Sequence, residues 1–389
     1  MTIASPLLLD VPEQSREIVE MTREFAQKEI APHAAEWDST KHYPAEVMKR
    51  LGELGFYGLR IPEEYEGLGL DTLTYMMVLE EIAAADASVS ISLSVHNSLP
   101  VTMLLREGTA EQKERWLGPM ARGEVLAAFS LSEADSGSDS VSIRAQAVRD
   151  GDEWVLSGEK TWVTNGDTAD LLVIMLRTDT PEERRGAHGI STFLVPAAAP
   201  GVVPGKAEDK MGLRASRTTS LSLNDVRLGP EHLLGMEGEG FIYALQALDN
   251  GRMGVAAQAT GIARAALEHC IRYSQERQQF ERPLRDFQAI QFKLADMATR
   301  ISASRALTLE AARAKDRGES VTERAGMAKL FASETAMWVT TQAVQIFGGY
   351  GYMRDYPVER LFRDAKVTEI YEGTSEIQRI VIARGLYSD

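Results

Sequence analysis

Three things are scarce in this chain of 389 residues: cysteine, long apolar runs and positive charge. The single cysteine, Cys270, excludes an internal disulfide and indicates a reducing compartment. No run of about 18 apolar residues is present, so we expect no membrane span. Lys and Arg number 42 against 57 Asp and Glu, and this net charge of −15 argues against nucleic acid as a partner. We therefore expect a cytoplasmic protein.

Several catalytic signatures are also missing. The six histidines are dispersed, without an HExxH motif or a pair four residues apart, so we predict no metal site. The chain has no GxSxG nucleophile elbow and no GxxxxGK[ST] phosphate loop. Hydrolase and nucleotidase functions therefore have no support in the sequence.

What is present is an ordinary globular composition, with 44% apolar and 25% charged residues, arranged in three blocks. Residues 1–125 have a helical pattern, 126–235 form short extended runs separated by glycines and prolines, and 236–389 are helical again. We predict a mainly helical α+β multidomain fold with these domain boundaries. It comprises an N-terminal helical domain, a middle β-barrel or sandwich domain and a C-terminal four-helix bundle. Without βαβ alternation, a Rossmann domain is not expected.

Long helical patterns at 240–275, 287–315 and 322–347, with one more helix at the end of the chain, predict the bundle. Within that last part, Glu372 lies in the stretch IYEGTSEIQ. Ser375 and Gln378 have the spacing of a capping box, which predicts that the final helix starts here.

Glu372 would then precede this helix, on a turn that Gly373 opens to close approach. Apolar neighbours would partly desolvate the carboxylate and raise its pKa. That change strengthens it as a base for a weakly acidic C–H proton. The alternative is an acidic residue placed near a helix N-terminus because the helix dipole favours it there.

Two stretches of the middle block could bind a ligand. Residues 132–139 (SEADSGSD) follow an extended run, and their small residues could offer backbone N–H groups to a phosphate or form an ordinary solvated turn. In 160–166 (KTWVTNG), Trp162 and Thr164 share one face of a predicted strand, which suits a planar heterocycle. A core tryptophan explains the same pattern.

Two stretches of the last block have similar alternatives. Residues 277–284 (RQQFERPL) place Arg277 between two long helices, where it could bind a diphosphate or satisfy the helix-terminal carbonyls. Residues 345–352 (QIFGGYGY) contain glycines but follow a helix, so they indicate a helix stop when taken alone.

Taken in order, these stretches resemble the acyl-CoA dehydrogenase family of flavoproteins over essentially the whole chain. The motifs are PEEYxGLGL at 62–70, SExxxGSD at 132–139, WVTNG at 162–166, RxxF…PL…FQ at 277–288, QxxGGxGY at 345–352 and IYEGTSEIQ at 370–378. Each motif is weak alone, but six in this order are specific.

The resemblance implies an FAD cofactor and an acyl-CoA substrate. Glu372 resembles the base that takes the α-proton of the thioester, while the β-hydrogen leaves as hydride to flavin N5 and a trans-2-enoyl-CoA forms. In the family, the backbone N–H of this glutamate position and a ribityl hydroxyl hold the enolate-like oxygen.

The resemblance also implies roles for other positions. Those similar to FAD-binding positions are Phe129, Leu131, Ser132, Ser138, Trp162, Val163, Thr164, Arg277, Gln279, Phe280, Gln288, Gln345, Gly348, Gly349, Thr374 and Glu376. Those similar to substrate-binding positions are Ser138, Asp249, Arg252, Tyr371 and Gly373. Several family FAD contacts cross a subunit interface, which implies a homo-oligomer, usually a tetramer built as a dimer of dimers. The usual electron acceptor is electron-transferring flavoprotein.

The chain departs from the family pattern at a few places. Some members carry the base on an earlier helix, next to the position of Arg252, and here that residue is Gly251, which leaves Glu372 as the candidate. Residues 134–136 are Ala-Asp-Ser where Pro-x-Ala is more usual, and Glu281 stands where a glycine is common.

The substrate and the reaction leave alternatives open. HNSLP at 96–100 and SEADSGSD resemble short-chain and short branched-chain members, so we expect such acyl groups, as in fatty acid β-oxidation or branched-chain amino acid catabolism. Flavin monooxygenases and oxidases share the fold, and a non-catalytic helical scaffold is the non-enzyme alternative. The intact IYEGT stretch favours the dehydrogenase.

Overall fold

The computed structural model describes residues 11–180, 183 and 186–387. The N-terminal part is helical, as predicted, with α1 Glu13–Phe25, α2 Ala34–Thr40, α3 Ala45–Glu53, α4 Thr72–Ala85, α5 Ala87–Ser98, α6 Pro100–Glu107 and α7 Ala110–Ala121. Helices α4 and α5 are buried along nearly their whole length, and they form the centre of this part. Burial on all sides of a helix is typical of helices surrounded by protein.

The middle part is one eight-stranded sheet. Its strands are β1 Ala127–Ser130, β2 Gln146–Asp150, β3 Glu153–Thr164, β4 Leu171–Arg177, β5 Ile190–Pro196, β6 Val202–Pro204, β7 Thr218–Leu228 and β8 Leu233–Leu234. The hydrogen-bonded order is β6-β7-β3-β2-β4-β5-β8, and β1 pairs in parallel with β4. Strands β2 and β3 form a hairpin with its turn at Gly151 and Asp152. Strand β4 is buried at every residue, so both faces of the sheet are covered there.

The C-terminal part contains α8 Gly240–Glu276, α9 Gln288–Asp316, α10 Thr322–Phe347, α11 Val358–Lys366 and α12 Ser375–Gly385. Four of these helices match the predicted ones to within about two residues, and α11 is an addition to them. Helices α8, α9 and α10 pack against one another, and α12 lies on α10. Within the described part of the chain, no helix is both long and apolar enough to cross a bilayer.

A buried network of ion pairs fastens α4 to its neighbours. Arg305 of α9 donates to Glu80 at 2.9 Å, and Arg264 of α8 lies 3.2 Å from the same carboxylate. Glu81 accepts hydrogen bonds from Arg264 and from Arg23 of α1, both at 2.8 Å. A buried charge is costly unless it is paired. The network therefore fixes three helices against α4.

His96 joins the helical part to the sheet. Its Nε2 lies 3.0 Å from the carbonyl oxygen of Tyr57, and its Nδ1 accepts a hydrogen bond from the backbone N–H of Ala127 at 2.9 Å. Burial lowers the pKa of His96 to about 4, so the ring is neutral and donates through Nε2. The start of β1 is thereby fixed to α5.

A small hairpin between α8 and α9 contains two residues with left-handed backbone. Strands β9 Gln278–Gln279 and β10 Arg282–Pro283 are joined by Phe280 and Glu281, with φ values of 51° and 65°. Two-residue hairpin turns of this kind favour Asn-Gly or similar pairs, because a Cβ is unfavourable at positive φ. Glu281, which stands where a glycine is common in the family, therefore has a backbone conformation that suits glycine.

We expect Glu281→Gly to stabilise the protein. The substitution removes the cost of a left-handed residue with a Cβ, which is about 1 kcal/mol after the entropy of glycine is counted. The midpoint of thermal unfolding should rise for Glu281→Gly and should not rise for Glu281→Ala, because alanine retains the Cβ. Equal midpoints for the two variants would contradict this account of the turn.

Candidate active site

Glu372 lies on a left-handed turn between α11 and α12. Its φ is 55° and that of Gly373 is 91°, so two consecutive residues have positive φ. The predicted capping box is wrong by one residue: Thr374 is the N-cap of α12, and its Oγ1 accepts the N–H of Ile377 at 3.3 Å. Glu372 therefore lies two residues before the N-cap and does not cap the helix itself.

The carboxylate of Glu372 is turned into the protein. Its Oε2 is buried and accepts no hydrogen bond from the described residues. A Cβ built on Gly251 of α8 would lie 2.5 Å from Oε2, so the glycine provides the space that the carboxylate occupies. Burial raises the pKa of Glu372 to about 7, while the charges of Arg252 and then Lys329 act in the opposite direction.

Three polar side chains form hydrogen bonds around Glu372. Two of them bind its carbonyl or that of Gly373, and the third binds the preceding residue, Tyr371. Gln378 Nε2 donates to the carbonyl oxygens of Glu372 and Gly373, both at 3.0 Å, and Lys329 Nζ donates to the Gly373 carbonyl at 2.8 Å. Tyr371 donates its hydroxyl hydrogen to Gln258 Oε1. Helices α8, α10 and α12 thus converge on this turn.

Sequence reasoning missed Lys329 as part of this site. The signal is its place in α10, where it lies on the same buried face as Ala325, Ala328 and Ala332. A lysine on a face of small apolar residues needs an internal partner. That partner lies 44 residues further along the chain, and the local pattern does not identify it.

Two of the predicted substrate-binding residues form a buried pair on α8. Arg252 donates to Asp249 at 2.8 Å, and the second carboxylate oxygen of Asp249 accepts the hydroxyl hydrogen of Thr322 at 2.7 Å. Arg252 lies one residue after Gly251 and so close to the Glu372 carboxylate. Ser138, in contrast, is on an exposed loop after β1.

The predicted flavin-binding residues of the sheet lie around an irregularity in β3. Trp162 has φ 56° at a shift of register with β7, and its side chain is 61% exposed. Val163 is buried in the core of the sheet, while Thr164, Phe129 and Ser132 are half-buried and Leu131 is buried. An exposed tryptophan beside partly covered polar residues is a surface suited to a flat ring.

Glu133 organises the loop that follows β1. Its carboxylate accepts the backbone N–H groups of Arg144 and Ala145, at 2.7 and 3.0 Å, and pairs with Lys160 at 2.8 Å. Lys160 is fully buried and also donates to the carbonyl oxygen of Leu131. The acidic residue of SEADSGSD is therefore a structural anchor, which the sequence reasoning did not anticipate.

Four of the predicted FAD-binding residues line one groove at the other end of the bundle. Arg277, Gln279, Gly348 and Gly349 border a groove of ≈ 600 Å³, whose floor includes Tyr273 stacked on Phe347 with ring centroids 4.0 Å apart. The other predicted residues are not in this lining. Gln288, Gln345 and Glu376 are exposed, Thr374 caps α12, and Phe280 is 87% exposed at the tip of its hairpin.

Comparison with known proteins places the chain in a class. Three family models match it in succession: "Acyl-CoA dehydrogenase, N-terminal domain" at 12–124, "middle domain" at 128–226 and "C-terminal domain" at 238–387. The short-chain specific acyl-CoA dehydrogenase of Bos taurus mitochondria is 47% identical over 96% of this chain and 90% of its own length.

Two solved structures are similar over nearly their full length. Butyryl-CoA dehydrogenase of Megasphaera elsdenii is 42% identical, with a TM-score of 0.95 over 97% of this chain and 99% of that one. A chain in a structure described as "Electron transferring flavoprotein of Acidaminococcus fermentans" is 46% identical, with a TM-score of 0.96 over 98% and 100%.

Fold, site and matches together define a flavin-dependent oxidoreductase. More narrowly, the chain belongs to the acyl-CoA dehydrogenase family, so the predicted resemblance, the fold class and the enzyme class are confirmed. The family is FAD-dependent, and FAD is the cofactor of this chain.

The residues present fit FAD. Trp162 offers a largely exposed ring, and the hydroxyl groups of Ser130 in β1 and Thr161 in β3 are buried without a hydrogen-bond partner among the described residues. Arg277 at the groove supplies a cation suited to a diphosphate. Among the described residues, no group of three or more His, Cys, Asp or Glu could hold a metal ion.

The ionisation of Glu372 should make wild-type stability depend on pH. Its folded-state pKa of about 7 lies above the ordinary 4.5, so the unfolded chain loses this proton first and stability falls as pH rises between these values. Glu372→Gln lacks this penalty, which is at most about 3 kcal/mol.

The unfolding midpoint of Glu372→Gln relative to wild type should therefore be higher at about pH 8 than at about pH 5. Calorimetry at both pH values measures this difference, with Glu20→Gln on the exposed face of α1 as the control. A difference that does not change with pH would contradict the raised pKa.

Proposed function

We propose that this enzyme removes the α- and β-hydrogens of a short-chain acyl-CoA to give a trans-2-enoyl-CoA, with Glu372 as the base that takes the α-proton. The observation that carries the proposal is the buried Oε2 of Glu372, to which none of the described residues donates a hydrogen bond. A carboxylate without a partner in a buried place keeps its full basicity for a ligand.

The surroundings of Glu372 suit proton removal near neutral pH. Burial raises the pKa of this carboxyl to about 7, which makes the carboxylate a stronger base than an exposed glutamate. The positive charges of Arg252 and Lys329 limit that rise, so the base remains substantially ionised at neutral pH. A poised base of this kind is typical of a catalytic site.

When bound, FAD supplies the acceptor for the β-hydride. We propose that its ring lies against Trp162 and Thr164, with Phe129, Leu131, Ser132, Ser138 and Val163 around it. Thr374 and Glu376 at the start of α12 would contact it from the bundle. Among these residues, Trp162 is the strongest support, since 61% of its side chain is exposed and available to a ligand.

The remaining FAD contacts would join two subunits. We propose that the groove at Arg277, Gln279, Gly348 and Gly349, with the exposed Gln288 and Gln345, binds the diphosphate and adenosine of FAD held mainly by a second copy of the chain. The 87% exposure of Phe280 beside this groove supports a covering partner. A homotetramer, assembled as a dimer of dimers, is the proposed state.

For the substrate, we propose that Arg252, Asp249 and Ser138 contact the CoA part and that Tyr371 and Gly373 border the thioester. A short acyl group is supported by the close approach of α8 to α5 near the base. A Cβ on Gly251 would also lie 3.3 Å from Leu99, and one on Gly254 would lie 2.6 Å from Ser94 Oγ. The names of the bovine relative and of the Megasphaera neighbour support the same choice.

Three further expectations remain proposals: the domain boundaries at 125 and 235, a cytoplasmic location, and electron-transferring flavoprotein as the electron acceptor. For the electron acceptor, the support is the similarity to a chain in a structure described by that name.

Branched substrates, and a role in branched-chain amino acid catabolism, are proposed from the sequence of the loop at 132–139 (SEADSGSD).

Glu372→Gln tests the base. We expect the rate of flavin reduction by butyryl-CoA to fall by at least about 10³-fold, because the proton acceptor is removed, while FAD content is unchanged. Rapid mixing under anaerobic conditions measures the rate. A monooxygenase-type relative or a scaffold would lose nothing, and a loss below about tenfold would remove Glu372 from the role of base.

Chain length is tested by the rate of flavin reduction with a series of thioesters. We expect kcat/KM to be highest for butyryl-CoA or hexanoyl-CoA and much lower for octanoyl-CoA and palmitoyl-CoA, because Gly251 and Gly254 of α8 lie close to Leu99 and Ser94 near the proposed base. Isobutyryl-CoA and 2-methylbutyryl-CoA test branching in the same assay. A maximum at octanoyl-CoA or palmitoyl-CoA would contradict the short pocket.

A further inference from the structure

A buried lysine lies under the turn that carries Glu372. Lys329 of α10 is fully buried, and within the described part of the chain the only hydrogen bond it donates is to the carbonyl of Gly373, at 2.8 Å. Burial lowers the pKa of Lys329 to about 8, and the amine is still mainly charged at neutral pH. A lysine in such a place is rare unless it has a specific task.

The first task is geometric. Glu372 adopts a left-handed backbone that disfavours any residue with a Cβ, and such a conformation persists only where the surroundings fix it. Gly373 O accepts hydrogen bonds from both Lys329 and Gln378, and Glu372 O accepts one from Gln378. These donors, from α10 and α12, fix the carbonyls on both sides of Gly373 and with them the direction of the base.

The second task is electrostatic. The charged groups that act on Lys329 are Glu372, Glu369, Arg252 and Glu376, and those that act on Glu372 are Arg252 and Lys329. Of these two, Arg252 has the larger effect on Glu372, although it is also hydrogen-bonded to the carboxylate of Asp249. Among the described residues, Lys329 is hydrogen-bonded only to the neutral carbonyl of Gly373, so its charge also acts on Glu372.

We propose that Lys329 is a positioning residue for the base: it fixes the Glu372–Gly373 turn through the Gly373 carbonyl, and its charge favours the carboxylate form of Glu372. This inference rests on the proposed role of Glu372. Gln378 is the natural comparison, because it holds the same carbonyls without a charge.

The test measures proton removal without oxidation. Acetyl-CoA has α-hydrogens and no β-hydrogen, so exchange of its α-hydrogens in deuterium oxide reports the base alone, and mass spectrometry follows the exchange as a function of pH. In Lys329→Met we expect the midpoint of the pH profile to move up by about one unit, because a nearby positive charge is lost. Exchange below the midpoint should then be about tenfold slower.

Two variants separate the tasks. Gln378→Met should slow exchange at every pH without moving the midpoint, because it removes hydrogen bonds and no charge. Lys329→Arg keeps the positive charge, so its pH midpoint should lie close to the wild-type value. Lys329→Gln keeps a donor for the Gly373 carbonyl without the charge, so it should show the upward shift even if Lys329→Met does not fold.

Lys210→Met is the matched control. Lys210, in the loop before β7, has a pKa that burial also lowers to about 8, and it donates to the carbonyl of Ser216 at 2.6 Å. Its loss should leave the pH midpoint unchanged, and FAD content and the unfolding midpoint are recorded for every variant. A wild-type midpoint in both Lys329→Met and Lys329→Gln would overturn the proposal. If wild type itself fails to exchange, or Glu372→Gln exchanges equally fast, the proposed function fails instead.

Discussion

The site depends on one set of hydrogen bonds, those that Gln378 and Lys329 donate to the carbonyls of Glu372 and Gly373. They hold two successive left-handed residues, an arrangement that costs about 1–2 kcal/mol at the glutamate alone. In this arrangement the carboxylate lies against Gly251 with a buried oxygen that has no hydrogen-bond partner among the described residues. A relaxed turn would place this side chain in solvent, where it would be a weaker base.

The rest of the fold keeps that turn in place. Helices α8 and α10 supply Gly251 and Lys329, and α8 is fixed in turn by the pairing of Arg264 with the buried carboxylates of α4. His96 connects α5 to the start of β1, so the proposed base on the bundle and Trp162 on the sheet belong to one framework. The buried oxygen of Glu372, which has no partner among the described residues, and the buried Lys329 both lower the stability of the protein. The buried charges on α4 are paired, so the fold as a whole tolerates this cost.

Much of the fold and part of the candidate site could be predicted from the sequence, because helical periodicity and the IYEGT stretch are local signals. They predict the long helices, the alternating strands and Glu372 itself. Lys329 and the Glu133–Lys160 pair were not accessible, since each joins segments that are distant in sequence and meet only in the folded chain. The cap of α12 was misplaced because Thr374 and Ser375 are adjacent and both are good N-cap residues, while the structure shows Thr374 as the cap.

The central claim is that this chain oxidises a short-chain acyl-CoA with FAD, and the most direct measurement is an anaerobic titration of the purified enzyme with butyryl-CoA, followed by visible absorbance. The account predicts a yellow protein whose oxidised-flavin band bleaches as the thioester is added. A yellow protein that keeps this band at saturating butyryl-CoA would contradict the substrate and the reaction. A colourless protein that FAD does not reconstitute would contradict the cofactor as well.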